Sequence, residues 1–423
     1  MKKILLIFLI FIVSLILIEI KFDLVSLNKD SKKNRTLSQI KTSYYDLNLK
    51  YIDVPVFSKY GAIEPYNKNL IYISGESDFF LLMKNQNSND YVFNSLEVDR
   101  IDNNKDKFIK KNKDELGKLA NDLFGVKDLI IENFDGFKND VVIVSSLDYF
   151  EKEDCYKISL FLTEVLDVAS FKLDKWKKFF SSKECLTINL TQNPKFAAYS
   201  AGGRISKLDD ENIIFTIGDF FSDGKNGPVL SQDLTNHYGK ILKINIVDGS
   251  YKIFSLGHRN PQGLYIDKDK NIFSTEHGPR HGDEINLIFE NKNYGWPKAS
   301  FGTDYETKKW PLDETNSTHT KYEKPIFSFG NKVGISNLII YEDEYFDRWK
   351  NNLIVSTLAS QELLRLVFNE QKKSLIYIEN ISINRRIRDI IKLDDGKIAL
   401  LTDRGNIEGN VAKIIIIELK ENE

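Results

Sequence analysis

Six stretches of the chain repeat one pattern: polar, turn-forming residues, then a short run rich in β-branched and apolar side chains. They are residues 67–74 (NKNLIYIS), 138–145 (KNDVVIVS), 210–217 (DENIIFTI), 269–276 (DKNIFSTE), 350–357 (KNNLIVST) and 395–402 (DGKIALLT). Their apolar runs begin at 70, 141, 213, 272, 353 and 398, about 66 residues apart on average. A period of this size leaves room for several strands per unit, which favours propeller blades over a helical solenoid. Six unrelated strands of a sandwich is the competing arrangement. The propeller is favoured because each run forms the second half of a hairpin-like unit. Helical patterns are scarce: residues 113–121 are the best candidate, as an insertion between blades, and the lysine-rich stretch 105–113 (KDKFIKKNK) reads as solvated loop. The expectation is an all-β, six-bladed propeller over residues 50–423, with 22–49 as linker.

An antiparallel hairpin brings its open ends together. Three units then place 200–204 near Gly218 and Asp219, Arg259 and Asn260 near His277, Gly278 and Pro279, and 386–388 near Asp403. If the blades are equivalent, all three pairs emerge on one rim around the central axis. The result is a polar, cation-rich mouth suited to a small ligand.

Composition narrows the function. The chain has 423 residues, 42% hydrophobic and 28% charged, with a net charge of −2. That is ample for a large core and too charged for a polytopic membrane protein. There is no basic stripe interleaved with aromatics, which argues against nucleic acid. Met1-Lys2-Lys3 precedes an apolar run from Ile4 to Ile18 broken only by Ser14. This is an export signal, read over residues 1–21 as a short signal or anchor helix. The lack of a clear small-residue cleavage site favours an anchor through residues 4–20, lysines inside, over a removed signal peptide. Either way the remainder is expected outside the cytoplasm, in the periplasm. In that compartment Cys155 and Cys185 are read as a disulfide or as a reduced core pair.

Three of the five histidines lie within 32 residues, at 258, 277 and 281. At the mouth, Arg204, Arg259, Arg386 and Arg388 offer planar donors for carboxylates or quinone oxygens, and Asn260 adds an amide. Gly278 and Pro279 can present carbonyls to a hard cation such as Ca²⁺. Arg204 is expected to pair with Asp219, Asp283 and Glu284 to hold a loop or a structural Ca²⁺, and Trp296 to pack in a turn.

Five segments, GHRNPQGL (257–264), EHGPRHGDEINLI (276–288), NYGWP (293–297), RRIRDI (385–390) and LTDRGN (401–406), carry a more specific signal. In order and spacing they resemble the soluble quinoprotein sugar dehydrogenases, the glucose/sorbosone or aldose sugar dehydrogenase family that uses pyrroloquinoline quinone. The similarity covers roughly residue 50 to the C-terminus and is strong from Tyr199 onward. It implies a six-bladed propeller, consistent with the repeat count. It also implies a cofactor site in which Arg259, Asn260, Asp219, Arg386 and Arg388 surround the quinone, and Gly278 and Pro279 give carbonyl oxygens to Ca²⁺. A sugar or similar alcohol would be the substrate, with hydride passing to the quinone and electrons on to an unidentified acceptor.

The chain departs from the family at two points. The family's general base is the histidine opening an H-x-x-G-R segment; here the segment is SAGGR and Ser200 stands in that position. A serine hydroxyl takes no proton near neutral pH without a base of its own, and a general base is worth roughly 10²–10⁴-fold. In addition Ala359 stands where the family often has a lysine. His258 and His277 read as hydrogen-bonded scaffold, and His281 as a new ligand or a surface variant. Two readings follow: a quinoprotein oxidoreductase with altered chemistry centred on Ser200 and Arg259, or a non-catalytic propeller binding a sugar, glycan or protein at the same rim. A hydrolase or lactonase ranks last, for want of an acid–base constellation.

Overall fold

The computed structural model describes residues 37–55, 60–85, 90–191, 194–225, 227–303, 319–369, 371, 374–403 and 411–420. The signal or anchor segment expected at 1–21 lies outside these residues. Among the described residues no helix is long and apolar enough to cross a membrane.

Each of the six repeated runs is the second strand of an antiparallel sheet: Asn69–Ser74, Val141–Phe150, Asn212–Ile217, Ile272–Glu276, Leu353–Thr357 and Ile398–Thr402. These strands are buried along almost their whole length. A second strand is covered on both faces by neighbouring sheets, so its sequence runs apolar without alternating. The first strands, Gly61–Tyr66, Val126–Glu132, Gly202–Lys207, Pro261–Ile266, Ile335–Ile340 and Ile387–Lys392, neighbour one another in a closed ring. Six apolar clusters fill the six gaps between successive sheets; Ile214, Ile241, Leu264 and Ile288, for example, join the third to the fourth. The fold is a six-bladed β-propeller.

The ring closes by pairing chain ends. Strand Asp46–Asp53 runs antiparallel to Lys413–Leu419, Leu47 opposite Leu419 and Asp53 opposite Lys413, and Leu37–Lys41 adds an outer strand. Residues 37–49, expected as linker, therefore belong to the last blade. Their alternating pattern (LSQIK, DLNLKYID) is that of outer strands with one covered face.

Two helices stand between the first and second blades, α1 (Lys105–Leu116) and α2 (Lys118–Leu123), divided at Gly117 with φ +53°. The stretch expected as solvated loop is thus mostly α1. Phe108 and Leu116 are buried on its inner face, Phe108 packing on Phe124 and Phe196 with ring centroids 4.4 and 5.0 Å apart. Lys105 is buried as well, with its ammonium 2.6 Å from Glu76. Cys155 and Cys185 form a disulfide, tying the long third strand of the second blade to the segment that leads into the mouth.

Candidate functional site

Five of the six first strands are bulged near their upper ends, at 126–128, 202–205, 261–263, 335–338 and 387–389. A bulge inserts one or more unpaired residues and re-aims the side chains around it. Here it places charged and amide side chains between the blades around the axis. The third blade shows why its sequence must be SAGGR. Gly202 has φ +62°, and a Cβ there would meet the Gly218 nitrogen at 2.8 Å. A Cβ on Gly218 would meet the Ser200 carbonyl oxygen at 2.1 Å.

This bulge carries Arg204 inward, away from Asp219, so the expected pairing is not formed. The buried guanidinium donates to Asp128 Oδ1 at 2.8 Å and Asp389 Oδ1 at 3.0 Å. It also donates to the backbone oxygens of Gln262 (2.8 Å) and Arg388 (3.1 Å). Asn337 Nδ2 donates to Asp389 Oδ1 at 2.7 Å. Five first strands are therefore stitched together beneath the mouth. Burial pushes Asp128 up to about 6 against the pull of Arg204, with Asp389 adding to the rise.

The three hairpin neighbourhoods expected from sequence all form. Ser200, 1% exposed, donates through Oγ to Asp219 Oδ1 at 2.7 Å, with the Arg259 carbonyl 3.3 Å away. Asp219 also accepts from Trp296 Nε1 (2.7 Å) and the Phe221 amide (2.9 Å), and its own amide donates to the Arg259 carbonyl at 2.7 Å. Burial lifts the Asp219 carboxyl to about 6, opposed by Arg259 and by the Ser200 and Trp296 donors and reinforced by Asp223.

Arg259 lies between the rings of Trp296 (5.3 Å) and Phe221 (5.7 Å). Its Nη1 donates to the Gly278 carbonyl at 2.7 Å and the His277 carbonyl at 3.1 Å. Its backbone amide donates to Glu276 Oε1, while the other Glu276 oxygen lies 3.0 Å from His258 Nδ1. His258 Nε2 is 2.8 Å from Ser255 Oγ. Serine, histidine and glutamate thus line up as in a hydrolytic triad, but Ser255 and His258 are fully buried. Their arrangement holds Arg259 in place, which accords with the scaffold reading of His258.

Asn260 fixes the rim rather than projecting alone: its Oδ1 accepts from Gly202 N (3.2 Å) and Gln262 Nε2 (2.9 Å), and its Nδ2 donates to the Tyr199 carbonyl. Across the axis, Arg388 donates to Asp403 Oδ2 at 2.6 Å and to Gln262 Oε1 at 3.4 Å. Arg386 donates to the Leu358 carbonyl at 3.3 Å, beside Ala359, and lies 3.7 Å from Asp403. The buried Nε atoms of both arginines have no hydrogen-bond partner among the described residues. Burial holds His277 below the usual histidine range, and Arg259, Arg388 and Arg386 add to this against the pull of Asp283. Its imidazole is therefore neutral at pH 7.

Asp283 does hold a loop: its oxygens accept from the amides of Gly278 (3.1 Å) and Gly334 (2.7 Å). His281 adopts φ +64°, a conformation glycine takes more readily. Pro279 sits against the Gly302 backbone, with Arg259, Glu276, His277 and Trp296 around the same small void.

Three residues were not marked from sequence as parts of this site. Trp296 was expected only as packing, yet it holds Asp219 and carries Arg259. Tyr60 is sandwiched between the Arg388 guanidinium (4.8 Å) and the Lys127 ammonium (4.1 Å), and burial raises its phenol to about 12. Tyr60 and Lys127 fall in no motif. Lys127 is a bulge residue, and only the register discloses that it faces the mouth.

The chain matches the glucose/sorbosone dehydrogenase family model over residues 162–413, more than half its length. It is 32% identical over 232 residues to the aldose sugar dehydrogenase YliI of Escherichia coli, covering 51% of this chain and 61% of that protein. It is 33% identical over 229 residues to an uncharacterized protein of Synechocystis, covering 48% and 54%. The match thus spans little more than half the length of these curated relatives. The fold resembles the apo-form of soluble aldose sugar dehydrogenase from Escherichia coli, with TM-score 0.68 and 18% identity over 88% of this chain and 100% of that one. It also resembles the PQQ-bound aldose sugar dehydrogenase of Streptomyces coelicolor, with TM-score 0.57 and 17% identity over 92% and 99%. The chain belongs to the glucose/sorbosone dehydrogenase family of quinoprotein β-propellers.

Proposed function

We propose that this chain is a quinoprotein oxidoreductase that binds pyrroloquinoline quinone at the propeller mouth and oxidises an aldose or similar alcohol. The observation that carries the reading is the pair of buried Arg386 and Arg388 Nε donors, without a partner among the described residues, on a rim that also holds Arg259. Buried donors without partners are costly, and an anionic tricarboxylate quinone would satisfy them. The residues present fit the quinone. For Ca²⁺ the offer is narrower. The described residues hold no cluster of three acidic, histidine or cysteine side chains suited to a metal. The cation would therefore rest on the Gly278 and Pro279 carbonyls and on the quinone itself, with Arg259 giving up its bond to Gly278.

When bound, the quinone supplies a two-electron, hydride-accepting carbonyl. Arg386 and Arg388 would hold its carboxylates, Arg259 would polarise the accepting oxygen, and Asn260 would keep the Ser200 turn against Arg259. The family's histidine base is replaced by Ser200. The N-terminal residues 1–18 support export to the periplasm and anchoring through residues 4–20, the mouth passing electrons to an acceptor yet to be identified. A non-catalytic propeller binding a sugar, glycan or protein is the second reading, favoured by Ser200.

Reconstitution with pyrroloquinoline quinone and Ca²⁺, followed by a dye-linked screen of aldoses and sugar alcohols, tests the proposal. Dye reduction that requires added quinone supports it. Tight quinone binding with no reduction by any sugar supports the non-catalytic reading.

A further inference from the structure

The Ser200 hydroxyl has two acceptors, and Asp219 is the nearer, the Arg259 carbonyl lying 3.3 Å away. Its Oγ lies 2.7 Å from Asp219 Oδ1, at the position from which the family's base would act. The carboxylate is fixed on its other oxygen by Trp296 Nε1, and no lysine or arginine forms an ion pair with it among the described residues. Arg259 and Asp223 are the charged groups that act on it, with opposite sign, and Ser200 and Trp296 donate to it from their own elements. A buried carboxylate held by neutral donors, and not consumed by a salt bridge, is a proton acceptor waiting on a hydroxyl relay.

We propose that Ser200 and Asp219 together take the place of the imidazole. The inference rests on the quinoprotein reading above. As the sugar's C1–H bond breaks, its electron pair leaves as hydride to the ortho-quinone, and the C1–O bond becomes a carbonyl, giving a lactone from a ring-form aldose. The proton of the C1 hydroxyl passes to Ser200 Oγ while the serine proton passes to Asp219 Oδ1. Asp219 thus gains the proton, the serine is unchanged, and the bound quinone would supply the acceptor for the electron pair. In this relay Ser200, 1% exposed in the substrate-free protein, would receive the sugar's proton, and Asp219 acts through it. With burial lifting its carboxyl to about 6, Asp219 is ionised at pH 7 yet accepts a proton more readily than an ordinary carboxylate.

The test uses the protein as wild type, Asp219→Asn and Ser200→Ala, each loaded with quinone and checked for stoichiometric binding by the cofactor's absorbance. Reduction by an aldose is followed by stopped flow between pH 5 and 9. Infrared titration of the quinone-free proteins reads the buried carboxyl directly. The wild-type rate is expected to rise with pH through a midpoint near 6, matching an infrared band that is missing in Asp219→Asn. Asp219→Asn should lose about 100-fold or more in rate, and its acid limb, at unchanged quinone affinity. Ser200→Ala should lose rate while its carboxyl band moves to higher pH, because a donor to the ionised form is gone. Quinone-loaded Asp219→Asn reducing at the wild-type rate overturns the relay, as does a wild-type midpoint unrelated to the infrared one or a loaded wild type that no aldose reduces. Should Asp219→Asn fail to fold, the Ser200→Ala and wild-type comparison decides alone. Failure of all three proteins to bind quinone overturns the quinoprotein reading itself, and the relay with it.

Discussion

Replacing Arg204 by methionine removes a buried cation beneath the mouth while keeping much of the apolar length of the side chain. Its guanidinium bonds to Asp128 and Asp389 and to two backbone carbonyls, and all three side chains are at least 92% buried. Removing one partner of a buried ion pair costs about 3–5 kcal/mol, because the other charge stays behind. An orphaned aspartate escapes part of this cost by protonation, which is easier at pH 5 than at pH 7. The sign follows from the direction of the shift: a carboxyl raised in the folded state is most favourable below its unfolded value and loses stability as pH climbs. Urea unfolding of wild type and Arg204→Met at both pH values should give a loss of about 3–5 kcal/mol at pH 7 and a smaller loss at pH 5. A loss below about 1 kcal/mol, or one equal at the two pH values, would refute the placement of Arg204 between two ionised aspartates.

Trp296→Phe keeps the ring beneath Arg259 but removes the donor to Asp219; the expected cost is about 1–3 kcal/mol at pH 7 and less at pH 4, where the carboxyl, lifted to about 6 in the folded protein, is already protonated, read by urea unfolding. Replacing Cys155 and Cys185 by serine opens a link across a sequence separation of 30, with an expected loss of about 3–4 kcal/mol at equal pH, checked against reduction of wild type by dithiothreitol. Deleting residues 1–53 strips two strands from the last blade and exposes Ile414 and Ile416 along Lys413–Leu419. That protein should aggregate on refolding where the chain cut before Leu37 stays monomeric, as size-exclusion chromatography would report.

The second strands were legible in the sequence because burial on both faces writes a continuous apolar run, and their spacing gave the blade count. The first strands were not. They are bulged and mix small, polar and charged residues, so period-2 reasoning loses register where the axis is built. Arg204 is the clearest case: hairpin geometry placed it beside Asp219, but the bulge between Gly202 and Ile205 turns it to Asp128 and Asp389, 76 and 185 residues away in sequence. Ser200, by contrast, stayed where the hairpin put it. The lysine-rich start of α1 hid a helix because only Phe108 and Leu116 mark its buried face. Residues 37–49 read as linker because an outer strand with a solvent face carries little apolar signal. At the mouth, motifs exposed the arginines and Asn260. Nothing in the chain's local pattern announced that Tyr60 would meet both Lys127 and Arg388.

The central claim is that this mouth is a quinone site, and calorimetric titration of pyrroloquinoline quinone into the protein lacking residues 1–30, with and without Ca²⁺, measures it directly. Binding near one equivalent, weakened at least tenfold in Arg388→Ala, is the predicted result. Heats indistinguishable from dilution under both conditions would contradict the account, leaving a propeller that retains its family's arginines without the cofactor they surround.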